Sequence, residues 1–95
     1  MKTFDESWYR VAGHRISLRV SVEIRRQFFR GERWYVLHDP FANQFFRIRP
    51  AAYEFIARLG GNRSVQEAWE QTMEAIPDEA PGQEEVIRLL AQLYH

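Results

Sequence analysis

Cysteine is absent from this 95-residue chain, so a disulfide scaffold and any thiolate metal site are excluded. Long apolar runs are missing too. No stretch approaches the roughly 18 residues of a membrane span, and Met1-Lys2-Thr3-Phe4-Asp5-Glu6 lacks the apolar core of a signal peptide. These absences lead us to expect a soluble, cytoplasmic domain. Catalytic signatures are also wanting. His14, His38 and His95 are far apart and have no ligand partner at i+3 or i+4. Ser7, Ser17, Ser21 and Ser64 sit in no nucleophile-elbow context, and no Lys-Ser/Thr pair follows Gly60-Gly61 to make a phosphate cradle. Glu84 and Glu85 are adjacent on a predicted helix and so point in different directions, where they suit the helix N-terminus better than paired acid/base work. The expectation is a non-enzyme with no metal and no cofactor.

Net charge is missing as well, with 13 basic and 13 acidic residues, but the balance hides an asymmetry. Residues 1–49 carry ten basic and five acidic groups, or +5; residues 50–95 carry three and eight, or −5. A basic first half and an acidic second half either solvate two faces or form a bipolar surface that orients a charged partner.

What is present is one domain's worth of chain with 45% hydrophobic residues, enough for a modest core. The organising stretch begins at Arg33. Trp34-Tyr35-Val36-Leu37 and Phe45-Phe46-Arg47-Ile48 are short runs of strand formers. Between them Asp39-Pro40 opens a turn, and Asn43 tolerates the left-handed conformation that closes it. Upstream, Val20, Val22, Ile24 and Phe28 alternate with polar residues, Arg26 interrupting the apolar face. Arg30-Gly31-Glu32 makes a tight connection in which Gly31 supplies a positive φ. The reading is an antiparallel meander over about 21–29, 33–38 and 44–48.

Three helices follow. Pro50 takes the first position of one that runs to Leu59 and stops at Gly60-Gly61. Ser64-Val65-Gln66-Glu67 is a capping box that opens a second, with Val65, Ala68, Trp69, Thr72 and Ile76 as its buried stripe and Pro77 as its end. The third runs from about Gln83 to the last residue on an inward stripe of Val86, Leu89, Leu90 and Leu93. The fold class is α+β, a three-stranded antiparallel sheet followed by three helices, winged-helix-like with the hairpin as the wing. Residues 1–19 form an N-terminal arm and 20–95 the domain. Within the arm, Trp8-Tyr9-Arg10-Val11-Ala12-Gly13 reads as a short strand or an ordered segment, since exposing Trp8 and Tyr9 is wasteful. The third helix shows no stop signal after Leu90, so we expect the natural polypeptide to continue past His95.

From Arg30 to Leu93 the chain resembles the PqqD-like domains, or RiPP recognition elements, which are winged-helix-like and bind the leader segment of a precursor peptide. The matching features are the aromatic strand pair, Pro50-Ala51-Ala52 opening a helix, Leu59-Gly60-Gly61 ending it, Ser64-Val65-x-Glu67, and the Val86-to-Leu93 helix. Stretches like Trp8-to-Gly13 and Arg30-to-Leu37 are similar to the cytosolic N-terminal segment of predicted membrane-embedded peptide zinc metalloproteases. Arg49 departs from the pattern, standing where such domains often place Ser or Asn before the helix proline; Arg cannot cap the helix as they do. No catalytic zinc motif is present, so no protease activity carries over.

The resemblance implies a peptide-binding module whose leader peptide lies between the third strand and the third helix. Its partners would be a precursor or leader peptide and a protease part of the same polypeptide, or a partner enzyme. On this chain those positions are Phe45, Phe46, Arg47 and Ile48 on the strand, with Ile87, Leu90, Ala91 and Tyr94 on a second apolar stripe of the helix. The last strand accepts an added strand if its edge is free; the alternative is that residues 1–19 fold back over it. A nucleic-acid-binding winged helix is the other reading. It is disfavoured by Glu67, Glu70, Glu74, Glu84 and Glu85 on the helices that would meet phosphate. A dimerising module, as a homodimer, is a third.

Overall fold

The computed structural model describes residues 3–17, 22–41 and 43–93. In chain order the elements are α1 (Tyr9–Ala12), β1 (Glu23–Phe29), β2 (Glu32–Asp39), β3 (Gln44–Ile48), α2 (Pro50–Ile56), α3 (Val65–Ala75) and α4 (Gln83–Leu93). The strands form one antiparallel sheet in the order β1-β2-β3, and the architecture is α+β as expected. Both turns follow from left-handed backbone. Arg30 and Gly31 have φ of 54° and 79°, which matches the right-handed twist of a two-residue hairpin. Asn43, with φ 50°, closes the second turn. The expected face-sharing of Val20, and a strand start at 21, lie outside the described residues.

Pleating divides the sheet into two faces. Tyr35, Leu37, Phe46 and Ile48 turn toward the helices, where Leu37 and Ile48 are buried and Tyr35 stacks on Tyr53 of α2 at 3.9 Å. Trp34, Val36, His38, Phe45 and Arg47 turn outward. The core under the inner face joins Phe55 and Ile56 of α2, Val65, Ala68 and Trp69 of α3, and Val86, Leu89 and Leu90 of α4. β1 lies off this core. Every residue of it is exposed, Ile24 and Phe28 included, because α2 packs under β2 and β1 overhangs the helices.

α3 opens with the capping box the sequence predicts. Ser64 Oγ accepts from Glu67 N–H at 3.1 Å, and Ser64 N–H donates to Glu67 Oε1 at 2.8 Å. The Ser64 backbone N–H on its carboxylate, followed by the Ser64 hydroxyl, holds the Glu67 carboxyl below its ordinary pKa. α2 is shorter than expected, ending at Ile56 rather than Leu59. Arg58 and Leu59 N–H groups donate to carbonyls three residues back, so the helix tightens before the glycines. Gly61, at φ 76°, does not cap the helix directly; its N–H donates to Ile16 of the arm. The C-terminal continuation of α4 past Leu93 lies outside the described residues.

The arm is a one-turn helix where the sequence allowed a strand. Trp8 is buried with its ring 5.4 Å from that of Trp69, and its Nε1–H donates to Gln66 Oε1, whereas Tyr9 is exposed, contrary to expectation. One turn of helix can bury only one of two neighbours, and Trp8 carries the larger apolar surface. The arm's backbone is tied to the helices. Val65 N–H donates to His14 O, Gln83 N–H to Thr3 O, and Asp5 N–H to Gln83 Oε1.

Candidate functional site: the edge of strand 3 and its cleft

β3 is an edge strand. Among the described residues it pairs only with β2, and the backbone bonds of the described part of the arm run to Gly61, α3 and α4 and not to β3. Its exposure alternates. Phe45 (64% exposed) and Arg47 face outward, Phe46 is half-buried against the core, and Ile48 is part of the core. Neither outward side chain dangles freely. Phe45 stacks on His38 at 4.1 Å and 5°, and the Arg47 guanidinium lies 5.5 Å from the ring centroids of both Phe29 and Trp34.

Beside the strand, a cleft of about 200 Å³ separates β3 from α4. Its strand side is Arg47, Ile48 and Arg49, its helix side Glu85, Arg88, Leu89 and Gln92. Arg49 explains its own departure from the capping pattern. It makes no side-chain cap at α2; instead its Nη2–H donates to Glu85 Oε2 at 2.6 Å, a bridge across the cleft. With side chains 49% and 21% exposed, such a pair is worth about 0–1 kcal/mol, a weak closure. Two cleft residues also hold buried polar atoms without a hydrogen-bond partner among the described residues, the donor Trp34 Nε1 and the acceptor Glu85 Oε1. Each costs about 1–3 kcal/mol if left unpaired. A peptide group offers both a donor and an acceptor.

The expected site residues divide. Phe45, Phe46, Arg47 and Ile48 are brought to one edge as anticipated, with Ile48 as floor rather than exposed contact. On the helix side the expected residues lie away from the cleft. Leu90 is 5% exposed and belongs to the core. Ile87 is half-buried and Ala91 exposed, but neither lines the cleft. At 100° per residue, positions 85, 88, 89 and 92 occupy one side of α4, and 87 and 91 lie on nearly the opposite side. Tyr94 is outside the described residues. Trp34, Arg49, Glu85 and Arg88 went unnoticed as site residues. The signal available was the i, i+3, i+4, i+7 spacing of 85, 88, 89 and 92, a mostly polar stripe that apolar periodicity passes over.

Among the described residues no group of three or more His, Asp or Glu is placed to hold a metal ion, and no helix is long and apolar enough to cross a membrane. Comparison of the chain with protein-family models, with curated proteins and with solved structures finds no match.

Proposed function

We propose that this domain is a cytoplasmic, non-catalytic peptide-capture module. An extended segment adds as a fourth strand to the outer edge of β3 and sends alternate side chains into the cleft beside α4. The observation that carries this reading is an unpaired strand edge with an apolar floor behind it, Ile48 and Leu89. Main-chain hydrogen bonds would give affinity and register, and the cleft selectivity. The resemblance to PqqD-like domains supports the same geometry. It names the ligand class as a precursor or leader peptide, delivered to a modifying or processing enzyme on the same polypeptide or a partner.

The test is a titration of the ¹⁵N-labelled chain with end-capped ten-residue peptides that are apolar at alternate positions. Amide shifts concentrated at 44–48 and 85–92 are expected. They should weaken in Gln92→Trp, which fills the cleft from an exposed position without touching the core. Shifts confined to α3, or none, would overturn the proposal.

A second reading is favoured by one observation. The outward sheet face presents Phe29, Phe45 and His38 with Arg25 and Arg47, a combination that stacks and neutralises single-stranded nucleic acid. Against a duplex-binding winged helix stand the five glutamates of α3 and α4. A salt-dependent gel shift with single- and double-stranded oligonucleotides separates these readings.

A further inference from the structure

The lip of the β3–α4 cleft is cationic. Three arginines, Arg47, Arg49 and Arg88, line it with a single carboxylate, Glu85. Arg49 neutralises Glu85, and among the described residues Arg88 pairs with Glu84 alone, at 3.5 Å, with its side chain 73% exposed. Arg47 makes no ion pair among the described residues. Its guanidinium rests instead beside the rings of Phe29 and Trp34. Neither ring supplies an oxygen acceptor, so the guanidinium's N–H donors remain available to a carboxylate. The two rings also restrict the side chain, so less rotamer freedom is lost when it binds.

Resting on the edge-capture reading above, we propose that the captured strand is acidic, with a carboxylate side chain at the position that lies across from Arg47. Pleating fixes that geometry. A residue directly opposite Arg47 on an added strand shares its outward face, and opposite charges in such a pair attract. Its sequence neighbours turn to the other face, toward Phe46 and the apolar floor. The ligand class is therefore an extended segment that alternates apolar and acidic residues. The excess of positive charge in residues 1–49 steers such a segment toward the sheet.

The experiment uses fluorescence anisotropy and amide shifts with three end-capped ten-residue peptides. All are apolar at alternate positions and carry Glu, Gln or Lys at the others. The Glu peptide should bind about tenfold tighter than the Gln peptide at low salt, the scale of one charge-assisted hydrogen-bonded pair. The Lys peptide should bind weakest. Arg47→Gln should remove most of the Glu preference, and Arg47→Lys should keep part of it. Arg10→Gln, which deletes the same charge from exposed α1, should leave the preference intact. A Gln peptide with a free C-terminus tests the other source of a carboxylate; equal binding to the Glu peptide would overturn the side-chain assignment. Equal shifts at 44–48 from all three capped peptides would leave strand capture standing and remove the acidic preference. No shifts at 44–48 from any of them would remove both.

Discussion

The sheet has two edges, and they are built differently. β1 carries Glu23, Arg25, Arg26 and Gln27 and is exposed along its whole length. β3 alternates exposed and buried positions and ends on a core residue, Ile48. An unpaired edge invites association, and charges are a common way to discourage it. β1 follows that pattern through its middle, with two adjacent arginines, although Phe28 and Phe29 stay exposed at its end. β3 does not, since its one charge, Arg47, is folded against aromatic rings. The lesson is that two edges of one sheet can differ in what lies behind them. What separates the two is the floor: the cleft beside β3 is backed by Ile48 and by Leu89 of α4, whereas the hollow along β1 lies on the outward face and is lined by Glu23, Arg25 and Gln27.

The comparison can be broken most severely by removing what the floor stands on. Trp69 is 5% exposed, donates its Nε1–H to Pro81 O at 2.9 Å, and meets Trp8 and Phe4. Trp69→Ala should cost about 3–5 kcal/mol and unfold a domain of this size, as thermal denaturation would show. A variant that melted like the parent would mean that α3 is not seated as described. Next comes the direct contrast between edges. Ile48→Ala should cost about 2–4 kcal/mol, whereas Ile24→Ala on β1, at 39% exposure, should cost less than about 1. Chemical denaturation of the two variants would erase the distinction if the costs matched.

An effect smaller than that of Ile48→Ala lies away from both edges and serves as a control. Ser64→Ala removes half of the capping box and should cost about 1 kcal/mol without altering peptide binding. The same box has a pH signature. Because folding lowers the Glu67 pKa, its contribution is present above the unfolded glutamate value and is lost as the pH falls through the folded one. A stability profile between pH 6 and pH 3, about the glutamate range, should therefore lose its Glu67 component in Glu67→Gln and keep most of it in Ser64→Ala, whose backbone N–H still donates to the carboxylate.

Much of this fold is written locally. The turns at Gly31 and Asn43, the proline at the start of α2 and the capping box at Ser64 are each decided by one or two residues, and each forms as the sequence predicts. The strand side of the site was legible for the same reason. The helix side was not, because which face of α4 meets β3 depends on tertiary packing. Apolar periodicity identified Ile87 and Ala91 as surplus, yet the cleft is walled by the polar stripe Glu85, Arg88 and Gln92 with Leu89. Trp8 and Tyr9 show the same limit. Both are aromatic, and only the position of Trp69 decides which one is buried.

One contact recorded in the fold has a mechanical consequence. The backbone of Thr3 accepts from Gln83 N–H at 2.9 Å, and Gln83 Oε1 accepts from Asp5 at 2.8 Å, so the beginning of the chain is pinned to the first turn of α4. That same turn holds Glu85, which closes the cleft with Arg49. A pull on the amino end is thus delivered two residues from the Arg49–Glu85 pair, about half a helical turn away. Tension there would loosen the helix side of the groove while leaving the hairpin at rest. The arm thus ties the amino end of the described chain to the helix wall of the cleft, and a tag placed ahead of Thr3 would pull on that tie.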